Sequence, residues 1–189
     1  MRRGHKSPPA GELHVWRVAL PADDRRGAAR RALVAILADY LGDSGPADAA
    51  AVELSVGENG KPRLADAPER LSFNLSHSGD LALVAVAPGG GAVGVDIERL
   101  RPRRNLVRLA GRWLPAADAA AVAGVGGAER ESVFYAAWTR HEARVKCTGA
   151  GLSGPAPGPE VIARQLEIDP GYAAAVAAEG SPRIVLRGA

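Results

Sequence analysis

The sequence predicts a single α+β protein, and three stretches carry that expectation. A helix-like run between Asp23 and Gly42 is followed by a block of apolar strands over 71–98. A second helix-like run over 129–147 is followed by a hairpin-like segment over 164–178. At 189 residues, 47% hydrophobic and 24% charged, the chain can bury a core and suits one large domain or two closely packed small ones. Aromatic residues make up only 4%, so Ala, Val and Leu must fill that core.

Taken in order, residues 1–10 carry charge and two prolines without an apolar run, and read as a disordered tail. Leu13 to Val18 is a short apolar strand. Asp23 or Asp24 can cap a helix whose apolar positions Leu33, Ile36, Leu37, Tyr40 and Leu41 recur at helical spacing up to Gly42. Val52 to Val56 alternates, and Gly57-Glu58-Asn59-Gly60-Lys61-Pro62 is turn chemistry. Leu71, Phe73 and Leu75 then alternate with Ser72, Asn74 and Ser76, giving one apolar and one polar face. After a turn at His77-Ser78-Gly79-Asp80, Leu81 to Ala87 is almost continuously apolar. Pro88 to Gly91 turns the chain into Val93–Glu98, where Val93, Val95 and Ile97 point one way and Gly94, Asp96 and Glu98 the other. These three strands are expected to form a meander.

From Glu129 to Cys147 neither Gly nor Pro interrupts, and Phe134, Ala137, Trp138 and Val145 fit a buried helical stripe. Gly149 is a natural stop. Asp169-Pro170-Gly171 predicts a hairpin between Arg164–Ile168 and Tyr172–Ala178. The expected organisation is a tail (1–10), an N-terminal α+β half (11–98) and a C-terminal α+β half (99–189).

One cysteine, Cys147, excludes an internal disulfide, and no apolar run approaches the ~20 residues of a membrane span. The expectation is a reduced, cytoplasmic protein without membrane contact. The formal charge is +3 and the pI about 9.4. Arg99, Arg101, Arg103, Arg104, Arg108 and Arg112 form a run without an acid, and Arg25, Arg26, Arg30 and Arg31 form a second. Each is either a solvated face or a surface for an anionic partner.

Candidate chemistry rests on three features. Asp96 and Glu98, two apart on a strand, project from one face and can share a cation. Oxygen-only donors of this kind suit Mg²⁺, although two solvent-facing acids on an edge strand read the same way. Glu142 lies in the long helix with Trp138 four residues before and Lys146 four after, all on one face. The plainer reading there is a surface pair between Glu142 and Lys146, worth a few tenths of a kcal/mol. Asn74-Leu75-Ser76-His77-Ser78 with Gly79 makes a phosphate cradle. It does not make a nucleophile–base pair, because Ser76 and His77 are strand neighbours pointing to opposite faces. Two other patterns mislead. Gly149-Ala150-Gly151-Leu152-Ser153-Gly154 spells G-x-G-x-x-G but follows a helix, and Pro62 stands where a P-loop needs Ser or Thr.

In combination these pieces resemble the Sfp-type 4'-phosphopantetheinyl transferases. The match runs through Gly60-Lys61-Pro62, Phe73-Asn74-Leu75-Ser76-His77-Ser78 and Gly94-Val95-Asp96-Ile97-Glu98, then Trp138-Thr139-Arg140-His141-Glu142-Ala143-Arg144-Val145-Lys146 and Gly149-Ala150-Gly151-Leu152. Asp169-Pro170-Gly171-Tyr172 is similar to the family's closing hairpin. The resemblance implies two similar α+β halves forming an intramolecular pseudo-dimer, a monomer with its site in the cleft between the halves. It further implies Mg²⁺-dependent transfer of 4'-phosphopantetheine from coenzyme A to a serine of an apo acyl or peptidyl carrier protein, releasing adenosine 3',5'-bisphosphate. Asp96, Glu98 and Glu142 would hold the metal. Lys61, Ser76, His77, Lys146 and Arg26 would contact coenzyme A, and Glu142, Lys146 and Asp96 would carry the catalysis. His141 stands where the family usually has Lys, and Ala35 where an arginine is common. Two other classes compete: a coenzyme A or carrier-binding homologue with little turnover, and a basic nucleic-acid binder. The latter lacks interleaved aromatics, zinc spacing and a recognition-helix pattern, so no nucleic-acid partner is expected.

Overall fold

The structure is a computed structural model that describes residues 8–42, 52–57, 61–66, 68–89, 91–151 and 154–188. Most of the expected 1–10 tail, the 58–60 part of the expected turn and the middle of the Gly149–Gly154 segment lie outside the described residues. The architecture is α+β, as the alternation of periodicities predicted.

Strand β1 (Glu12–Ala19) leads into helix α1 (Arg25–Leu41). Of the two candidate caps, Asp24 is the one used: its carboxylate accepts from the Gly27 amide at 3.0 Å, satisfying one orphan donor of the first turn. The helix ends at Gly42. Short strands β2 (Leu54–Val56) and β3 (Pro62–Leu64) form a two-stranded ribbon. Then come β4 (Leu71–Ser78), β5 (Leu81–Pro88) and β6 (Val93–Arg99). Helices α2 (Leu106–Trp113), α3 (Ala116–Gly124) and α4 (Gly127–Thr148) follow, and β7 (Val161–Leu166), β8 (Tyr172–Glu179) and β9 (Arg183–Gly188) close the chain.

The expected meander is only half right. Strands β4 and β5 do pair antiparallel, but the other edge of β5 is taken by β1, and β6 leaves to open a second sheet. One sheet runs β4-β5-β1-β9 and the other β6-β8-β7. Alternation shows which face of a strand is apolar and says nothing about which strand lies beside it. Strand β9, whose six residues pair parallel with β1, was not foreseen. Nor were α2 and α3.

Side-chain alternation sorts the core into layers. Trp16, Val18, Phe73, Val84 and Val86 face Leu33, Ile36, Leu37 and Tyr40 of α1. The opposite face of that sheet presents Leu13, Val15, Leu83 and Ala85 to Val93, Val95, Ile97 and Val176 of the second sheet. The far face of the second sheet carries alanines, Ala175 and Ala177, against Ala143 and Cys147 of α4. The order is therefore helix, sheet, sheet, helix. Each large aliphatic in these layers contributes about 1.5–3 kcal/mol by leaving water.

Small residues set how closely α4 lies on the second sheet. A Cβ on Gly94 would stand 2.1 Å from the Ala143 carbonyl oxygen and 2.4 Å from the Cys147 amide nitrogen. Only glycine permits that approach. At its end α4 stops at Gly149, which adopts φ 71° and donates its amide to Val145 O at 3.0 Å.

Candidate active site at the seam between the sheets

The first sheet ends at β4 and the second at β6, and these two edges lie side by side. Side chains of β4 bridge them. Asn74 Oδ1 accepts from the Val95 amide at 2.9 Å. Ser76 Oγ donates to Asp96 Oδ1 at 2.9 Å. Ser78 Oγ donates to Glu98 Oε2 at 3.1 Å and accepts from the Arg99 amide at 3.1 Å. Positions 74 and 76 belong to the polar face read from the sequence. Ser78, expected in the turn, is the last residue of β4 and extends that face, which meets the second sheet instead of solvent. Asn74 and Ser76 are buried for this reason.

Helix α4 completes the site. Its close packing on Gly94 brings Lys146 across to β6, where Nζ donates to Asp96 Oδ1 at 2.6 Å and to Ser76 Oγ at 3.1 Å. Lys146 thus reaches across the seam, which is a different arrangement from a surface pair with Glu142. Asp96 is only 4% exposed. Burial pushes its carboxyl above the usual range in spite of Lys146 and Ser76, and the charge of Glu98 adds to the push. Its second oxygen, Oδ2, is buried without a hydrogen-bond partner. Glu142 is raised as well, by burial first and then by the charges of Asp96 and Glu98. Three carboxylates from two elements therefore feel one another.

Hard oxygen donors and an orphaned buried carboxylate oxygen fit a small divalent cation. As placed, no three His, Cys, Asp or Glu side chains among the described residues stand close enough to clasp a metal. Lys146 holds the oxygen of Asp96 nearest to it. The donor chemistry fits Mg²⁺, and the carboxylates sit wider than a closed ligand shell.

The remaining expected residues lie around this centre at different distances. His77 is exposed on the face of β4 opposite Ser76. Lys61 spans β3, β6 and α4: its Nζ donates to Val93 O at 2.9 Å and to Cys147 O at 3.0 Å, and burial lowers its pKa. It borders a cavity of about 230 Å³ with Arg63, Ser72, Phe73, Thr148 and Gly149. Arg26 is exposed on the first turn of α1, where its neighbour Arg25 holds Asp80 Oδ1 at 2.6 Å. Trp138 stacks on Phe134 with centroids 5.8 Å apart, one wall of the helix core. His141 is held below its usual pKa by burial and by Arg144, which favours the neutral imidazole. Asn74 and Ser78 are the site residues that sequence reasoning left without individual roles. The signal for them was the i, i+2, i+4 spacing with Ser76.

A seam of hydrogen-bonded carboxylates crossed by a lysine, with two of the acids shifted from their ordinary pKa, is a candidate catalytic site. Comparison with known proteins places it in a family. Residues 92–182 match the description of the 4'-phosphopantetheinyl transferase superfamily. The protein is 35% identical over 172 residues to HetI of Nostoc sp., named a 4'-phosphopantetheinyl transferase, covering 75% of this chain and 70% of HetI. It is 34% identical over 104 residues to slr0495 of Synechocystis sp. (54% of this chain, 42% of that protein). It is 43% identical over 98 residues to AcpT of Escherichia coli K12, also named a 4'-phosphopantetheinyl transferase (51% of this chain, 49% of AcpT). In the last two cases the match spans less than half of the relative's own length. With the HetI match covering most of both proteins, the chain belongs to the 4'-phosphopantetheinyl transferase superfamily.

Proposed function

We propose that this protein transfers the 4'-phosphopantetheine group of coenzyme A to a serine hydroxyl of an apo acyl or peptidyl carrier protein. The observation that carries the reading is the Lys146–Asp96–Ser76 knot, with its buried unpartnered Asp96 Oδ2, beside Glu98 and Glu142. In the reaction the serine oxygen bonds to the β-phosphorus of coenzyme A while the bond from that phosphorus to the bridging oxygen breaks. Adenosine 3',5'-bisphosphate leaves, and negative charge grows on the bridging oxygen.

Lys146 supplies an ammonium for that charge, and Ser76 keeps Asp96 oriented. Asp96, Glu98 and Glu142 would hold Mg²⁺, which supplies charge neutralisation on the diphosphate when bound. Glu142, on the helix wall, is the residue to receive the serine proton, directly or through water. Lys61, Ser76, His77 and Arg26 are assigned to coenzyme A, with the Lys61 cavity taking its adenosine end. The two α+β halves act as a pseudo-dimer around this cleft, in a monomeric, cytoplasmic enzyme. Its exposed Arg101, Arg103, Arg104, Arg108 and Arg112 offer a docking face to an acidic carrier.

The test is to mix protein, coenzyme A, Mg²⁺ and apo carriers from fatty-acid, polyketide and peptide synthases and follow carrier mass. The wild type adds one phosphopantetheine group to at least one carrier. Asp96→Ala and Glu142→Ala abolish the gain, and Lys146→Ala slows it by about 10²–10³, the usual loss of a donor to developing charge. Full activity in either carboxylate variant refutes the site. Tight coenzyme A binding with no transfer to any carrier would favour the binding-protein alternative.

A further inference from the structure

We infer that Ser78 is a positioning residue for Glu98, which sets the outer carboxylate of the site; the inference rests on the transferase reading. The two sheets meet at β4 and β6 with side chains in place of backbone bonds, so nothing in a ladder fixes how far β6 sits along β4. Asn74 fixes the inner end by accepting the Val95 amide. Ser76 fixes the middle, and Ser78 the outer end.

The hydroxyl of Ser78 is directed by its partners. The Arg99 amide can only donate, so it takes a lone pair of Oγ at 3.1 Å. The Ser78 proton then goes to Glu98 Oε2, also at 3.1 Å. One side chain thereby holds the backbone just after Glu98 and one oxygen of its carboxylate. Oε1 is left to turn toward Asp96 and Glu142. Glu98 is half-buried and in reach of solvent, so without that hydroxyl its side chain has rotamers that point away from the seam.

The turn beyond the serine is braced as well. Asp80 accepts from Arg25 at 2.6 Å and from Arg99 at 3.5 Å, and its amide donates to the Tyr172 hydroxyl at 3.0 Å. Gly79, at φ 57°, leaves room for that tyrosine: a Cβ there would lie 2.7 Å from its hydroxyl. The end of β4 is therefore held by α1, β6 and β8 at once, a rigid mount for a hydroxyl that must aim.

Mn²⁺ binding, followed by electron paramagnetic resonance on protein with coenzyme A, tests this apart from turnover. Ser78→Ala should weaken Mn²⁺ by about 10–100-fold, the usual loss when an outer-shell partner of a ligand is removed. Ser78→Thr, which keeps the hydroxyl, should stay within about threefold of wild type. Ser78→Ala should add nothing further in a Glu98→Ala background, because it acts through Glu98. A folded Ser78→Ala protein with wild-type Mn²⁺ affinity overturns the inference and leaves the transferase reading standing. If Ser78→Ala does not fold, Ser78→Cys, close in size but only a weak donor, takes its place, and wild-type Mn²⁺ affinity in Ser78→Cys overturns the inference. Wild-type protein that binds Mn²⁺ no better than the Glu98→Ala variant and modifies no carrier overturns both.

Discussion

Glu142 occupies a poor place for an ionised carboxylate. It is half-buried and feels the charges of Asp96 and Glu98, so its folded pKa lies above the ordinary 4.5. A group of that kind adds stability below its unfolded pKa and loses it as pH rises through the folded value. In metal-free protein Glu142→Gln should therefore raise Tm at pH 8 while transfer is lost, and the gain should vanish by about pH 4. A thermal melt series in EDTA checks this. An equal Tm at every pH would mean that Glu142 is not burdened by its neighbours. The carboxylates themselves were legible in the sequence, since Asp96 and Glu98 share a strand face and Glu142 and Lys146 share a helix face. What the sequence did not reveal is that Lys146 reaches Asp96 instead of Glu142, because that depends on how closely two distant elements pack.

At the level of elements, the approach of α4 to β6 decides whether those side chains meet. Gly94→Ala places a methyl against backbone atoms of Ala143 and Cys147, none of which is a movable side-chain end. The expected cost is about 1–3 kcal/mol of stability. Transfer should fall further than the stability loss explains, since Lys146 is pushed off Asp96. Denaturant melts and the carrier-mass assay on the same sample separate the two effects, and wild-type behaviour in both would remove the packing argument. The long helix was readable because no Gly or Pro broke it before Gly149. Helices α2 and α3 were hidden by composition. Leu106, Leu109 and Ala110 recur at helical spacing, but the arginines among them leave too narrow an apolar stripe to stand out. Leu106 and Ala110 are buried while Val107, Arg108, Gly111 and Arg112 face out. Likewise, alternation in β4 and β6 named the faces correctly but could not set their neighbours, which is why β6 left the expected meander.

Across the whole molecule, the first sheet depends on a strand from far along the chain. Arg183 and Glu12 form an ion pair between residues 171 positions apart, and the Arg187 guanidinium lies 5.9 Å from the Trp16 ring centre. Deleting 181–189 exposes β1 as an edge and uncovers Leu13 and Ile184's place in the middle layer. We expect a Tm at least about 5 °C lower, the shift that ~2 kcal/mol gives at this length. An unchanged Tm would show that β9 is an ornament on the sheet. This dependence was not legible, because a short apolar run such as Ile184–Leu186 has no local mark of a partner near the start. It also bears on how the protein is made. At ~5–20 residues per second, synthesis separates Glu12 from Arg183 by roughly 10–30 s, during which β1 waits with one side open. Newborn molecules therefore pass through a sticky adolescence on the ribosome, and slower translation or a scarcity of chaperones should show itself first as clumping, well before any loss of catalytic quality in those that mature.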